Sequence, residues 1–376
     1  MDDLVPVPPP TDPGAWRAAA RRFADDIVRP QAAAIDRTDS LPADLVSRLR
    51  PTGFFGLGVP PESGGSGGDT RAISAVLAEL AAASPAVAVL LSVHLSVCTH
   101  PVFAHGTAEQ KERIGRPLAE GRSLGAFALT EPSVGSDAAR LSTRYRRADD
   151  TFVLNGAKMF ITNGARADVV LSFATRDPSE GSRGISAFLV EKGTKGFDAP
   201  SKLDKLGLRG SETNELLFQD AMVPARDLLG AEGEGLRIAL GALTAGRVGI
   251  ASCALGVARA AFEAMRAAAL ADPSDAKRGE VARAFVTLQA AEALVDRAAG
   301  EKDAGRPYTD VASAAKLFAS EAAVRIADRA VEVAGPAGTR AGAAAERILR
   351  DARVFPIVEG TTEVQELILG RSLVRT

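Results

Sequence analysis

The spacing of the hydrophobic positions changes twice along this chain. From Ala15 to about Gly121, apolar residues recur at every third or fourth position, which predicts four to six helices separated by prolines and a glycine-rich loop. The next hundred residues contain short β-branched and alternating runs, which are typical of strands. After Gly235 the helical spacing returns in long, alanine-dense stretches.

These runs set the bounds of the predicted elements. The predicted strands cover residues 123–130, 144–154, 169–175, 185–190 and 215–218. The predicted helices of the last third cover residues 236–270, 278–302, 309–334 and 360–373. Asp272-Pro273-Ser274 is the clearest break among these helices and is typical of an αα-hairpin connection.

The order of helices, strands and helices predicts a mostly α chain of the α+β class with three domains. The predicted domains are residues 1–121, helical; residues 122–233, mostly β; and residues 234–376, helical. A β unit inserted between two helical ones disfavours a Rossmann sheet. The sequence also has no G-x-G-x-x-G after a predicted strand and no G-x-x-x-x-G-K-[ST] motif.

Composition narrows the class of ligand and the compartment. The chain has 45 basic and 47 acidic residues, well mixed, with a formal net charge of -2, so no basic stripe favours a nucleic-acid partner. Its start is acidic and proline-rich, and no run of about 18 apolar residues occurs, so we expect neither a signal peptide nor a membrane span. Cys98 and Cys253 stand apart in apolar surroundings and are expected to be buried free thiols, which fits a reducing cytoplasm.

Several segments could carry binding groups, and each also has a simpler structural interpretation. Residues 127–143 (FALTEPSVGSDAARLST) gather small polar side chains that could bind an anion or a polar ring, although a surface turn is the simpler interpretation. Phe160 in KMFITNG is expected to be a core residue when that segment is considered alone. The arginines of KLGLRGSET (205–213) and ILRDAR (348–353) are expected to lie on a solvated basic face.

The side chains with acid–base or metal chemistry show no familiar metal or serine-hydrolase pattern, and one glutamate is a candidate base. His94, His100 and His105 lie in one predicted helix without the spacing of a zinc helix, so no metal is expected. No G-x-S-x-G elbow supports a serine hydrolase. The candidate base is Glu359 in IVEGTTEVQ, between an apolar stretch and a Gly-Thr-Thr turn, although an isolated glutamate most often simply faces solvent.

Six motifs, taken together and in this order, resemble the acyl-CoA dehydrogenase family, which uses FAD. They are LTEPSVGSD, KMFITNG, KLGLRGSET, LTAGR, ILRDAR and IVEGTT. The resemblance extends from around Arg29 to Arg371. It implies an N-terminal helical domain, a central β-barrel and a C-terminal four-helix bundle. It also implies that the flavin lies between barrel and bundle at a subunit interface of a homotetramer or homodimer.

The resemblance also implies roles for individual residues, with Glu359 as the catalytic base. The implied cofactor contacts are Phe127, Leu129, Thr130, Gly135, Ser136, Phe160, Ile161, Thr162, Thr361, Thr362 and Glu363, and from a neighbouring subunit Arg278, Gln289, Glu332, Gly335 and Pro336. The implied substrate contacts are Ser136, Thr244, Arg247, Gly360 and Arg371. The implied partners are an acyl-CoA or acyl-carrier-protein thioester and an electron-transfer flavoprotein as the electron acceptor in fatty acid metabolism.

The chemistry of a thioester explains why such a site needs a base. A C–H bond alpha to a thioester is a poor acid in water, so a base must lie within reach and donors must stabilise the enolate oxygen. The pKa of a free glutamate, about 4.3, is too low, and burial is expected to raise that of Glu359 towards about 6 to 7. The resemblance implies that the backbone N–H of Glu359 and a ribityl hydroxyl hold the thioester carbonyl. It also implies that hydride from the beta carbon goes to flavin N5, which leaves a trans-2-enoyl thioester.

Several positions depart from the family pattern, and most of them are implied cofactor contacts. They are Phe160 for the usual Trp, Val358 for Tyr, Val281-Ala282 for Phe-Gly, Thr244 for Asp, and residues 332–336 (EVAGP) for Gln-x-x-Gly-Gly. The last change adds a negative charge and removes a backbone donor. Two alternatives therefore stay open. One is an inactive acyl-thioester-binding or assembly protein of the same fold, and the other is a flavin oxidase or oxygenase. Retention of Glu359 argues against the monooxygenase branch.

Overall fold

Helices form the N-terminal region of the computed structural model, which describes residues 12–374. The proline-rich start, on which the expectation about a signal peptide rests, lies outside the described residues. The helices are α1 (Pro13–Phe23), α2 (Ala32–Thr38), α3 (Ala43–Leu49), α4 (Thr70–Ala83), α5 (Pro85–Ser92), α6 (His100–His105), α7 (Ala108–Gln110) and α8 (Arg116–Ala119). Turns of π- and 3₁₀-helix join α1 to α2, α5 to α6 and α7 to α8. The described part of this region therefore contains five continuous helical segments, within the predicted four to six.

The middle of the chain forms one mixed sheet of eight strands. They are β1 (Gly125–Ala128), β2 (Arg144–Ala148), β3 (Thr151–Thr162), β4 (Val169–Thr175), β5 (Ile185–Glu191), β6 (Phe197–Lys202), β7 (Thr213–Pro224) and β8 (Leu228–Leu229). Their order is β6-β7-β3-β2-β4-β5-β8, with β1 paired to β4. The predicted fold class is confirmed, but among the described residues the path from β6 to β8 does not close, so the sheet is open rather than a complete barrel.

All five predicted strands are present, and the differences have local causes. The run predicted over 144–154 is a hairpin, because β2 and β3 pair antiparallel across a turn at Asp149. Strand β6 escaped prediction because Asp198 and Pro200 are poor strand residues. A proline without an N–H is tolerated at a sheet edge, and the pairing of β6 with β7 is irregular between Asp198 and Ser201.

The C-terminal region is a bundle of long helices. Its helices are α9 (Gly235–Ala271), α10 (Asp275–Asp303), α11 (Thr309–Ala334), α12 (Ala344–Ala352) and α13 (Thr362–Leu373). The predicted αα-hairpin is present, with Asp272 ending α9 and Ser274 capping α10 through its side chain. Helix α12, at ILRDAR, was not predicted as a helix.

The N-terminal and C-terminal helices share one hydrophobic core, and the sheet packs against it. Small residues bring the helix axes close: a Cβ on Gly256 of α9 would lie 2.2 Å from the carbonyl oxygen of Ala78 on α4. Cys98, Val102 and Ile238 belong to the cluster that joins these helices to one face of the sheet. Cys98 and Cys253 are buried and unpaired, as predicted.

Two helical segments are long and apolar enough to cross a membrane when length and composition alone are considered. They are Pro85–His105 and Gly235–Ala271. Within them, 89% and 72% of the most apolar window is buried inside the protein. Such burial is also shown by core helices, so the two segments are weak grounds for a membrane span.

A fully buried ion pair fixes the loop that follows β1. Lys158 Nζ on β3 lies 2.8 Å from Glu131 Oε1, with neither side chain exposed, and also donates to the carbonyl oxygen of Leu129. Glu131 additionally accepts hydrogen bonds from Ser142 and Thr143. Burial opposes ionisation of Glu131, but Lys158 and these donors outweigh it and lower the pKa of the carboxyl.

Removal of this lysine should destabilise the protein strongly. Lys158→Met leaves the Glu131 carboxylate buried without its cation, which typically costs about 3–5 kcal/mol. We expect a matching loss in the free energy of urea unfolding, while Lys195→Met, at an exposed lysine, should have little effect. The double variant E131Q/K158M should recover part of the loss. Equal losses in K158M and K195M would contradict this account.

Candidate active site

Glu359 lies in a tight turn between α12 and α13. Its backbone has φ of 51°, and Gly360 follows with φ of 97°. A residue with a side chain rarely adopts the left-handed region, so surrounding contacts must hold Glu359 there. Thr362 N–H donates to the Pro356 carbonyl oxygen at 2.8 Å, which closes the turn.

The carboxylate of Glu359 is enclosed and has no hydrogen-bond partner. The residue is only half-buried as a whole, but both carboxylate oxygens are shielded, and neither has a partner among the described residues. The carboxylate points at helix α9, where a Cβ on Gly246 would lie 1.9 Å from Oε2. Val97, in the segment joining α5 to α6, borders the same point. The glycine therefore makes room for the carboxylate.

The surroundings of Glu359 raise the pKa of its carboxyl towards neutral pH. Burial raises the pKa of the carboxyl to about 7, against the opposing attraction of Lys316 and Arg247. A general base is most effective when its pKa lies near the operating pH. The pKa of about 7 that burial gives Glu359 agrees with the expected range of about 6 to 7.

Two cations approach this carboxylate from different helices. Arg247, on α9, is buried; its Nη1 lies 3.5 Å from Ser313 Oγ, and its Nε has no partner among residues 12–374. Lys316, on α11, donates from Nζ to the carbonyl oxygens of Pro356 (3.2 Å) and Gly360 (2.6 Å). Burial lowers the pKa of Lys316 to about 8 and also lowers that of Arg247, while Glu359 opposes both shifts.

Further buried polar atoms without partners lie on α13, beside the same turn. Thr362 Oγ1 and Gln365 Oε1 have none among the described residues. Thr361 caps α13 by accepting from Val364 N–H, and Glu363 is exposed. Buried polar groups are normally paired, so the orphaned atoms of Arg247, Glu359, Thr362 and Gln365 are consistent with a site that binds a polar ligand.

The prediction that Phe160 is a core residue is wrong. Its side chain is 66% exposed, and its backbone has φ of 63°. The pairing of β3 with β7 is irregular between Lys158 and Ile161, and this bulge turns Phe160 outward while Ile161 stays buried. An exposed aromatic ring at a strand end suits a stacking role better than a core one. Thr162 is half-buried next to them.

The loop after β1 combines a surface turn with a buried anchor. Gly135 and Ser136 are exposed, as expected of a turn, and a Cβ on Gly135 would meet nothing within 4 Å. Thr130 is half-buried and accepts a backbone hydrogen bond from Met159. Phe127 packs against Phe173 inside, and Leu129 is buried. Of these residues, Thr130, Gly135 and Ser136 are accessible to a ligand.

The remaining implied contacts lie on the outer surface of the bundle. Arg278, Gln289, Glu332, Pro336 and Arg371 are exposed, Thr244 is half-buried, and Gly335 is half-buried with φ of 62°. Arg278 is ion-paired with Asp275. Glu332 is ion-paired with Arg329, which also binds Glu280 on α10. No hydrogen bond or ion pair joins this group to the Glu359 turn among the described residues.

The expectation of a solvated basic face is wrong for KLGLRGSET and ILRDAR. Arg350 binds both carboxylate oxygens of Asp36, at 2.8 and 2.7 Å, and Arg209 Nε donates to the Asp36 carbonyl oxygen. The buried Asp351 accepts from Leu208 N–H at 2.7 Å. These motifs therefore join the N-terminal helices, the sheet and α12.

Two of the three histidines, His94 and His100, hold the packing of the N-terminal region. Nδ1 of His94 accepts from Gly125 N–H at 3.0 Å, and His100 Nε2 bonds to the Leu57 carbonyl oxygen at 2.9 Å. Burial lowers the pKa of His94 to about 3 and that of His100 to about 4. Both rings are therefore neutral at physiological pH.

A cavity of about 680 Å³ lies away from these residues. It opens between α1, α9, α10 and α12, and its lining contains five arginines, namely Arg17, Arg21, Arg29, Arg259 and Arg347. Glu79 in its wall pairs with Arg21 and Arg259. None of the implied site residues lines it.

Comparison with known proteins decides the family. The acyl-CoA dehydrogenase N-terminal domain matches residues 12–122, the middle domain residues 126–221 and the C-terminal domain residues 233–374. The chain belongs to the acyl-CoA dehydrogenase family. Members of this family are flavoproteins.

Individual relatives agree over nearly the whole chain. An acyl-CoA dehydrogenase of Bacillus subtilis (strain 168) is 43% identical over 365 residues, 95% of this chain and 96% of that protein. The butyryl-CoA dehydrogenase of Megasphaera elsdenii superposes with a TM-score of 0.94 at 37% identity, covering 100% of this chain and 99% of its own. A chain in a structure of the electron transferring flavoprotein of Acidaminococcus fermentans superposes with a TM-score of 0.95 at 37% identity, covering 97% and 98%. The predicted enzyme class, an acyl-CoA dehydrogenase, is confirmed, and the inactive and oxidase alternatives are not favoured.

Sequence reasoning missed Lys316 of this acyl-CoA dehydrogenase. The signal was present, because the lysine interrupts a stripe of buried alanines at helical spacing, namely Ala312, Ala315, Ala319 and Ala323. A lysine is almost never fully buried unless it is paired. A charged residue on the apolar face of a predicted helix therefore indicates a specific partner.

Gly246 should be indispensable to the dehydrogenase. In Gly246→Ala the new methyl group would overlap Glu359 Oε2, so the carboxylate must move, and a misplacement of about 1 Å can cost about 100-fold in rate. Acyl-CoA oxidation should fall by that order while the helical circular dichroism persists. Gly241→Ala, on the same helix with open space around its Cβ, should keep full activity. Normal turnover by G246A would rule out this placement of the carboxylate.

Proposed function

We propose that Glu359 is the base that removes the alpha proton of an acyl-CoA thioester in the dehydrogenation performed by this chain. The observation that carries the proposal is the enclosed carboxylate, shielded from water and without a hydrogen-bond partner among residues 12–374. A carboxylate that accepts no hydrogen bond keeps its lone pairs available for a C–H proton. Its pKa of about 7 leaves a large ionised fraction at neutral pH.

The reaction removes a proton from the alpha carbon and a hydride from the beta carbon, and each has its own acceptor. The proton on the alpha carbon passes to a carboxylate oxygen of Glu359, and its electron pair forms the new double bond as hydride leaves the beta carbon. When bound, FAD supplies the acceptor for that hydride. Donors must stabilise the thioester oxygen while the proton moves, and the backbone N–H of Glu359 is our candidate donor from this chain.

Accessible residues of the sheet and of α13 support the binding of an isoalloxazine ring. Phe160 offers an exposed ring, and Thr130, Gly135 and Ser136 offer an accessible loop that Glu131 and Lys158 hold in place. The unpaired Thr362 Oγ1 lies at the start of α13, where a helix N-terminus favours negative or polar groups. We therefore assign FAD to the accessible members of the implied contacts, namely Thr130, Gly135, Ser136, Phe160, Thr162 and residues 361–363.

A second subunit would complete the cofactor site. Homotetramers are typical of the family, and α9 and α10 expose the apolar residues Leu270, Phe285 and Val286 on the same part of the bundle as Arg278 and Gln289. The negative charge of Glu332, unusual for the family, is balanced by its ion pair with Arg329. A homotetramer in which Arg278, Gln289 and residues 332–336 reach the neighbouring flavin is consistent with these features.

The relatives support a proposal for the electron acceptor and for the cellular compartment. The superposition with a chain in a structure of an electron transferring flavoprotein supports such a flavoprotein as the acceptor. The two buried free thiols and the bacterial relatives support a cytoplasmic enzyme.

We also propose a short acyl chain as the substrate. One turn beyond Gly246 on α9, a Cβ on Gly249 would lie 2.5 Å from Ser92 Oγ and 3.2 Å from Ser96 Oγ. Gly249 lies about 4.5 Å along α9 from Gly246, which faces the base, and the two serines pack against it. The likeness to a butyryl-CoA dehydrogenase supports the same limit.

Replacement of the base should slow turnover strongly and leave the flavin bound. Glu359→Gln should stay yellow, while the rate at which butyryl-CoA bleaches the flavin falls about 100- to 10,000-fold. Because only the ionised carboxylate accepts a proton, the wild-type rate should rise as the pH increases through about 7. Glu366→Gln, at an exposed position on α13, is the control. Wild-type bleaching by E359Q would refute the assignment.

A panel of substrates tests the length limit. Flavin bleaching should be faster with butyryl-CoA than with octanoyl-CoA or palmitoyl-CoA, because Ser92 and Ser96 close the space beside Gly249. Ser92→Gly should enlarge that space and raise the relative rate of octanoyl-CoA. A wild-type preference for palmitoyl-CoA would contradict the assignment.

A further inference from the structure

Lys316 is a fully buried cation without a carboxylate in hydrogen-bonding contact. It lies on α11 among fully buried alanines, and its side chain is shielded from solvent. Isolated buried charges are strongly unfavourable, so a buried lysine needs specific polar contacts. Among the described residues, its hydrogen-bond acceptors are carbonyl oxygens.

The two carbonyl groups that Lys316 binds stand on either side of Glu359. Nζ lies 2.6 Å from the Gly360 oxygen and 3.2 Å from the Pro356 oxygen. The Gly360 oxygen also accepts from Gln365 Nε2 at 2.9 Å. Lys316 thus ties α11 to both ends of the short turn that carries the base.

Glu359 depends on such support because its own side chain makes no hydrogen bond with the described residues. Its position is set by the backbone and by contact with Gly246. That backbone has φ of 51°, a strained conformation that persists only where surrounding contacts over-determine it. Loss of a contact at Gly360 should let the turn relax and move the carboxylate.

We propose that Lys316 is a positioning residue that holds the Glu359 turn through the carbonyls of Pro356 and Gly360. This inference rests on the proposed role of Glu359. Lys316 binds the backbone rather than the carboxylate, so it steadies the base and leaves the oxygens free.

The charged groups around Glu359 determine how the loss of Lys316 would change the pKa of this carboxyl. Lys316 approaches from α11 and Arg247 from α9, and both favour the ionised carboxylate. Glu363 on α13 acts electrostatically on Lys316 and Tyr308 on Arg247, and burial and Glu359 raise the pKa of the Cys253 thiol, which stays neutral. Without Lys316, Arg247 is the one cation among residues 12–374 that still acts on Glu359, so the pKa of Glu359 should rise further.

Lys316→Met tests the proposal, with Lys302→Met as the matched control on neighbouring α10. We expect kcat for butyryl-CoA to fall about 10- to 100-fold in K316M, with KM changed less than about two-fold because uniform binding is retained. The acid limb of the pH profile should move to higher pH. Gln365→Leu, which removes a neutral donor to the same Gly360 oxygen, should lower kcat without moving that limb.

A measurement without turnover separates this proposal from the assignment of the base. In apoprotein labelled with ¹³C at the glutamate carboxyls, the signal absent from E359Q is that of Glu359, and its titration should move to higher pH in K316M. If E359Q turns over normally, the proposed function fails. If E359Q is inactive but K316M titrates and turns over like K302M, the Lys316 proposal alone fails. Should K316M not fold, Lys316→Gln, which is also neutral, should show the same upward shift, and an unshifted titration would overturn the proposal.

Discussion

The fold withdraws one carboxylate, that of Glu359, from water without giving it a hydrogen bond. An ionised carboxylate in such a place is strongly disfavoured, and proteins normally relieve the cost by pairing or protonation. Here the relief is partial: Lys316 and Arg247 attract the charge, yet burial outweighs them and the pKa rises to about 7. At neutral pH a large fraction of the carboxylate is therefore ionised, and it is basic enough to accept a proton from the substrate.

This arrangement depends on the same small residues that allow the helices to pack. Gly246, Gly249 and Gly256 face, in turn, the Glu359 carboxylate, the Ser92 hydroxyl and the Ala78 backbone. One face of α9 thus provides space for the Glu359 carboxylate at Gly246, contact with Ser92 at Gly249 and contact with α4 at Gly256. Packing and chemistry are coupled here, because a side chain added at Gly246 would occupy the place of the carboxylate.

Features that arise from local sequence could be predicted, and features that arise from distant contacts could not. The long helices α9, α10 and α11 and the buried strand β4 follow from periodicity, since their hydrophobic pattern continues over whole elements. Phe160 was misplaced because a β-bulge, created by pairing with β7, reverses the direction of its side chain. Arg350 was expected in solvent because its partner Asp36 lies 314 residues away in sequence.

The family resemblance supplied Glu359, whose surroundings periodicity could not reveal. Its enclosure depends on α9, α11 and the segment joining α5 to α6, and those contacts come from distant parts of the sequence. Lys316 was missed for a related reason: the alanine stripe on α11 predicted the buried face, but not what the buried ammonium binds. The residues with chemistry could thus be named from motifs, whereas the groups that tune them required the structure.

Two buried lysines have different effects on the pKa of the glutamate near them. Lys158 and Lys316 each donate to a carbonyl oxygen beside a functional loop, at Leu129 and Gly360. Lys158 also contacts its carboxylate, Glu131, and the pKa of that acid is held low. Lys316 has no hydrogen bond to Glu359, and the pKa of that acid stays raised. A direct hydrogen bond to the base would favour its ionised form and lower its basicity. Contact through the backbone therefore lets a cation fix the position of the carboxylate while leaving it able to take a proton.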